Sequence, residues 1–206
     1  MKLDKENIRY MIIGRSIYLK PITKIELSDE YLSWLNDTTL NQFLDVSKCP
    51  PTHINDLADY VNAVRSDRMC EVFAIYDKNM QKHVGNIAIT KNDVSSGTAV
   101  QGCIIGDEFS RKRGVGAEAS ILINEFMFSQ PHIHKIQEGV VSQNIDACRV
   151  LISMGFKHEG TLRKASKNKH GELWDINIYG ILIEEWRKMH DKFSFVLKSY
   201  NLEHIE

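Results

Sequence analysis

The densest chemistry in the chain lies in one heptapeptide, Arg111-Lys112-Arg113-Gly114-Val115-Gly116-Ala117. A strand pattern runs into it and an amphipathic helical pattern runs out of it. The first N–H groups of a helix have no acceptor inside the helix, and the macrodipole is positive at that end. Glycines at 114 and 116 remove two Cβ atoms, so a phosphate can come close to the main chain, and three basic side chains add charge. A pyrophosphate or similar polyanion suits such a place, each charge-assisted hydrogen bond contributing about 1.5–3 kcal/mol. The same letters also fit a solvated basic turn whose glycines serve tight packing. The nucleotide P-loop pattern G-x-x-x-x-G-K-[ST] does not occur. Gly114-x-Gly116-x-x-Ala119 formally satisfies the dinucleotide fingerprint, with Glu138 near its acidic position. That reading has too few strand–helix units downstream, and a charged stretch over 107–113 where a very tight turn belongs.

The elements that must position this loop follow from periodicity. Apolar alternation predicts strands over 16–20, 72–76, 83–90, 99–105, 135–141, 156–162 and 173–183, with a turn at Asp77-Lys78-Asn79 and a hairpin loop over 167–171. A helix starts near Ser28-Asp29 and carries Tyr31, Leu32, Trp34 and Leu35. Thr52, after two prolines, is the expected N-cap of a second helix with Ile54, Leu57, Ala58, Val61 and Val64 on one face. Residues 110–116 read as a polar loop. After it, Val115, Ala119, Leu122 and Phe126 form the buried stripe of a helix. Asn144 caps a further helix with Ala147, Val150, Leu151 and Met154 on its apolar face and Gly155 at its end. From Glu184 the chain is helical, with Trp186, Met189, Phe193, Val196, Leu197 and Tyr200 on one side. The order predicts an α/β (α+β) fold, neither a bundle nor a sandwich.

The 206 residues suit one domain over 1–206 with a C-terminal helical extension from about 184. A chain of this size buries about 70% of its unfolded surface, so it needs neither disulfide nor metal to fold. A net charge of −1 argues against non-specific nucleic-acid binding. Cys49, Cys70, Cys103 and Cys148 show no C-x-x-C pair and no zinc-ligand spacing, and read as buried thiols of a reducing compartment. The first six residues hold no apolar signal segment, and the run 121–128 is too short to span a bilayer. These features predict a cytoplasmic protein with no membrane and no nucleic-acid partner.

Several motifs in order resemble the GNAT superfamily of acyl-CoA N-acyltransferases. Its Q/R-x-x-G-x-G/A loop is matched by Arg111 to Gly116, and its N-x-x-A/S helix ending in G-F by Asn144-Ile145-Asp146-Ala147 and Gly155-Phe156. Trp34-Leu35-Asn36-Asp37, Glu159-Gly160-Thr161-Leu162-Arg163, Asp175, Tyr179-Gly180 and Glu185-Trp186 are similar to a subgroup that includes the ribosomal-protein N-acetyltransferases. The resemblance spans about residues 14–187.

The resemblance implies a mixed, mostly antiparallel sheet with two central strands, 99–105 and 135–141, splayed apart, and acetyl-CoA as cosubstrate with no metal. It places the pyrophosphate on Arg111, Lys112, Arg113, Gly114, Val115, Gly116 and Ala117, and the pantetheine arm and thioester carbonyl on main-chain groups of Cys103, Ile104 and Ile105. Asn144 can orient the cofactor or a water, or serve as a plain N-cap; Arg149 can reach a CoA phosphate or stay solvated. The expected reaction is direct attack by a neutral amine. Candidates for the base are Glu138, His134, and Asp175 and Tyr179, which with Asn177 share one strand face. The position where many relatives carry a tyrosine acid is Leu151. The acceptor is a small-molecule amine, first a nucleotide-linked amino sugar of bacterial surface-polysaccharide biosynthesis. The alternatives are a protein N-terminus, a polyamine, an antibiotic, or no acceptor at all in a non-catalytic CoA-binding module. Monomer and homodimer are both open.

Overall fold

In the computed structural model, the described residues are 10–40, 42–43, 50–67, 69–93, 96–168 and 170–204. Of the residues singled out above, 1–6, Cys49 and the side chain of Val64 lie outside them. The described residues begin with a hairpin, β1 (Tyr10–Ile13) and β2 (Ile17–Pro21). Two helices follow, α1 (Asp29–Asn36) and α2 (Ile54–Ser66). A meander comes next: β3 (Cys70–Asp77), β4 (Lys82–Asp93) and β5 (Thr98–Ile105). The short helix α3 (Glu108–Lys112) and the longer α4 (Val115–Phe128) lead to β6 (Lys135–Val141). Then come α5 (Ile145–Ser153), the hairpin β7 (Lys157–Lys167) and β8 (Leu173–Leu182), α6 (Ile183–Leu197) and β9 (Asn201–His204).

These strands form one sheet in the order β7-β8-β6-β5-β4-β3-β2-β1-β9. Every pairing is antiparallel except β5 with β6. That parallel pairing lasts three rungs, Thr98↔Lys135 to Val100↔Gln137, and then the strands part. Each continues with its outer neighbour, β5 with β4 as far as Gly85↔Ile105 and β6 with β8 as far as Val141↔Ile176. The expected splay is present at the expected pair of strands. A ladder turns alternate residues' N–H and C=O groups to alternate sides. Alternate residues beyond the fork therefore present main-chain groups to the gap, groups that need a partner.

Two apolar cores flank the sheet. The smaller unites Tyr31, Trp34 and Leu35 of α1 with Leu57 and Val61 of α2 and Val72 of β3. The larger lies under α4, α5 and α6, and α4 is buried on nearly every side, with Val115, Ala119 and Leu122 at 1% exposure or less. The apolar stripe of α6 is covered by the chain itself. Trp186 and Phe193 are buried and stacked, and the Trp186 Nε1–H donates to Glu125 of α4 at 2.8 Å.

Three local expectations differ from the structure. Helix α2 begins at Ile54, and Thr52 is not its cap; the Asp56 carboxylate instead accepts from the Thr52 N–H and hydroxyl and the His53 N–H, tying down the chain before the helix. The stretch 110–116 is helical at both ends, holding the last residues of α3 and the first of α4; α3 is capped by Asp107, which accepts from Ser110 N–H at 2.8 Å. Strands β1 and β9 were not expected, being four residues each and paired with one another. Segments that short carry too little alternation to be distinguished from a loop.

Candidate active site

Helix α4 starts at the end of β5, at the mouth of the gap. Its N-cap Gly114 has φ 76° and no side chain to cap it, so the N–H groups of Val115, Gly116 and Ala117 have no acceptor within the helix. The two glycines do different work. A Cβ at Gly114 would meet nothing within 4 Å, and it is the left-handed backbone that calls for glycine there. A Cβ at Gly116 would lie 3.3 Å from Ile105, so this glycine lets α4 close onto β5. A recess of about 620 Å³ lined by Arg15, Asn79, Arg113, Gly114 and Ala117 leaves the helix mouth open to solvent.

The three basic side chains also part company. Arg111, though exposed, folds back over the end of β5, its guanidinium donating to the carbonyls of Ile105 at 3.1 Å and Gly106 at 3.0 Å. Arg113 pairs at 2.7 Å with the fully buried carboxylate of Asp77 and lies over the Phe109 ring. Lys112 stays in solvent beside Glu108. With those partners in place, the main-chain amides of α4 remain the uncommitted donors of the loop. The donor set fits a phosphate ester, and the unpaired strand edges fit an arm that carries amides, as the pantetheine of CoA does.

Beside the fork, on the face of the larger core, Glu138 and Tyr179 are partners across β6 and β8, and Gln101 and Cys103 come from β5. Burial pushes the Glu138 carboxyl up to about 7, against which the Gln101 amide acts in the opposite direction. The Cys103 thiol is held far above its usual range by burial and by Glu138, so it stays protonated. The Tyr179 hydroxyl is raised by its contact with the Cys148 thiol of α5 and by burial. Leu151 is buried in the larger core. Gln101 was not singled out from the sequence. The available signal was a carboxamide on the alternating face Ala99, Gln101, Cys103 and Ile105, which is otherwise apolar.

The other sequence candidates lie elsewhere. His134 is exposed at the closed end of the fork, about 13 Å along β6 from Glu138 at 3.3 Å per residue. Its main chain is bonded to Gly97 and Ile183. Asp175 accepts from the N–H of Lys164, a residue with φ 52°, and so holds an irregularity in β7. Asn144 caps α5 through Ala147 N–H at 3.3 Å. Arg149 is exposed on the outer face of α5 beside Asp146. Trp34 lies so close over Gly106 that a Cβ there would fall inside its ring, fixing α1 against the end of β5.

The GNAT acetyltransferase domain family matches residues 17–157. The chain belongs to this family. A GNAT relative from Bacillus subtilis (strain 168), named probable N-acetyltransferase YjcK, is 24% identical over 165 residues, covering 76% of this chain and 89% of its own. A GCN5-related N-acetyltransferase from Brucella melitensis superposes with a TM-score of 0.76 at 21% identity, covering 90% of this chain and 84% of that one. Spermidine N-acetyltransferase from Vibrio cholerae, solved with CoA and spermine, gives 0.74 at 17% identity over 84% and 98% of the two chains. In this GNAT chain, β1, β7 beyond Lys157, β8, α6 and β9 lie outside the matched segment. No metal-binding cluster and no helix long and apolar enough to cross a membrane occur among the described residues.

Proposed function

We propose that this chain transfers the acetyl group of acetyl-CoA to the primary amine of a small molecule by direct attack, with Glu138 taking the amine proton. The observation that carries the reading is the fork of β5 and β6 opening beside the uncapped end of α4. Acetyl-CoA supplies an activated thioester. The amides of Val115, Gly116 and Ala117 hold its diphosphate, and main-chain groups of Cys103 to Ile105 hold its arm and polarise the thioester carbonyl. Glu138 is the titratable side chain in the gap whose protonation changes near neutrality. It takes the proton the attacking nitrogen loses and returns it to the departing sulfur, a task that Leu151 has no group to perform. The new N–C bond replaces the C–S bond, and no covalent enzyme intermediate forms.

The acceptor is a nucleotide-linked amino sugar, a reading supported by the similarity of W-L-N-D, V-G-N-I, E-G-x-L-R and Y-G-I-L to members of the family that act in bacterial surface-sugar biosynthesis. A polyamine is the second reading, favoured by the likeness in fold to spermidine N-acetyltransferase. Release of free thiol from acetyl-CoA is measured with a nucleotide-linked 4-amino sugar, spermidine and a short peptide with a free N-terminus. Turnover of the sugar alone supports the first reading and of spermidine alone the second. CoA binding without thiol release from any of them marks a non-catalytic module and refutes the proposal.

A further inference from the structure

Gln101 is a carboxamide set on the core side of β5. Ala99 and Ile105, two positions before it and four after, belong to the larger core, and Gln101 itself is 4% exposed. Neither its Oε1 nor its Nε2 makes a hydrogen bond, and neither reaches solvent. Leaving such a group without a partner is unfavourable, and buried polar groups in native proteins are almost always paired. A methionine or leucine would fill the space without that cost. The unmet atoms sit one residue past Val100, the last residue of β5 to pair with β6. The neighbouring carboxyl is Glu138, one residue past Gln137 at the same fork. The other titratable groups on this face are Cys103, Tyr179, Cys148 from α5 and, in register with Tyr179 and 5.4 Å from its ring, His158 of β7. The carboxylates of α4 are engaged elsewhere, Glu118 with Ser16 and Glu125 with Trp186 and His190.

We propose that Gln101 is a positioning residue for acetyl transfer: its Nε2–H donates to one oxygen of the ionised Glu138 and leaves the other oxygen directed at the substrate nitrogen. The inference rests on Glu138 as the proton acceptor. A hydrogen bond to the charged form of an acid favours that form, so Gln101 keeps Glu138 ionised at the pH where the amine must react. At rest the amide lies beside the carboxyl, outside normal hydrogen-bond distance but near enough to favour its charged form.

The test follows the protonated-carboxyl infrared band of Glu138 against pH in the wild type, Glu138→Gln, Gln101→Met and Gln101→Leu, each bound to CoA. kcat/KM is measured over the same range. The wild type is expected to lose the band near pH 7, and Glu138→Gln to lack it. In both Gln101 variants the band should move upward by about one pH unit, lowering kcat/KM about tenfold at pH 6 and less than twofold at pH 9. Melting temperatures of the Gln101 variants should equal or exceed that of the wild type. A band that stays in place in the Gln101 variants overturns the inference and leaves Glu138 as acceptor. A Glu138→Gln enzyme with full activity and an unchanged profile overturns both. Failure of Gln101→Met and Gln101→Leu to fold assigns the amide a structural role and also overturns the inference.

Discussion

Glu138 places an ionisable group where water is scarce, and two consequences follow from one shift. Burial raises its folded-state pKa from 4.5 to about 7, so between those values the folded chain keeps a proton that the unfolded chain has released. Stability therefore falls as pH rises through that window and is level above it. Glu138→Gln should raise stability at pH 8 by up to about 3 kcal/mol and leave it unchanged below pH 4.5, as read by urea denaturation at both pH values. The same substitution should lower kcat by two to three orders of magnitude and abolish the activity limb near pH 7. At Gly114 the determinant is backbone conformation. Gly114→Val forces a β-branched residue to φ 76°, at a cost of about 1–2 kcal/mol. CoA affinity, measured by calorimetry, should drop with it, because the cap sets the direction of the three free amides.

At the scale of elements, α6 is the piece that finishes the larger core. Trp186 is 1% exposed and bonds Glu125, and Phe193 and Val196 lie on the same face. Trp186→Ala should cost about 3–5 kcal/mol in chemical denaturation. By contrast, β9 is exposed along its whole length, and removing residues 201–206 should shift the melting temperature by no more than a few degrees. The pair Arg113–Asp77 joins the loop before α4 to the end of β3. Asp77 is fully buried, and its other oxygen already accepts from the N–H groups of Asn79 and Met80. Arg113→Met strands that carboxylate, and a loss of about 3 kcal/mol is expected, visible as a lower melting temperature.

For the whole molecule, the fork between β5 and β6 is an interruption in an otherwise continuous nine-strand sheet. Filling it should stabilise the fold. At CoA concentrations 100 times Kd the gain should be about 2.7 kcal/mol, and amide exchange of β5 beyond Val100 should slow selectively. A gain without that local protection would place CoA elsewhere. The fold class and the glycine loop were legible because they rest on local rules, and the splayed pair because the ordered motifs resemble a known family. Alternation marks a strand, the i, i+4, i+7 stripe marks α4, and Asn144 and Gly155 mark the ends of α5. The directions of Arg111, Arg113 and Gly116 were not legible. Their partners, Ile105 and Gly106, Asp77 and again Ile105, are set by packing. Charge alone does not say whether a guanidinium faces a phosphate or a carbonyl.

The sequence by itself determined the order of elements and the chemistry available to them, because periodicity and capping are properties of neighbouring residues. Only the tertiary structure set the surroundings of the four proposed proton carriers apart. Glu138, His134, Asp175 and Tyr179 read alike as letters. What separates them is burial and company: Glu138 beside Gln101 at the fork, Tyr179 against Cys148, Asp175 on the Lys164 amide, His134 in solvent. A side chain's pKa and reach are fixed by groups distant in sequence, and those distances close only when the sheet forms.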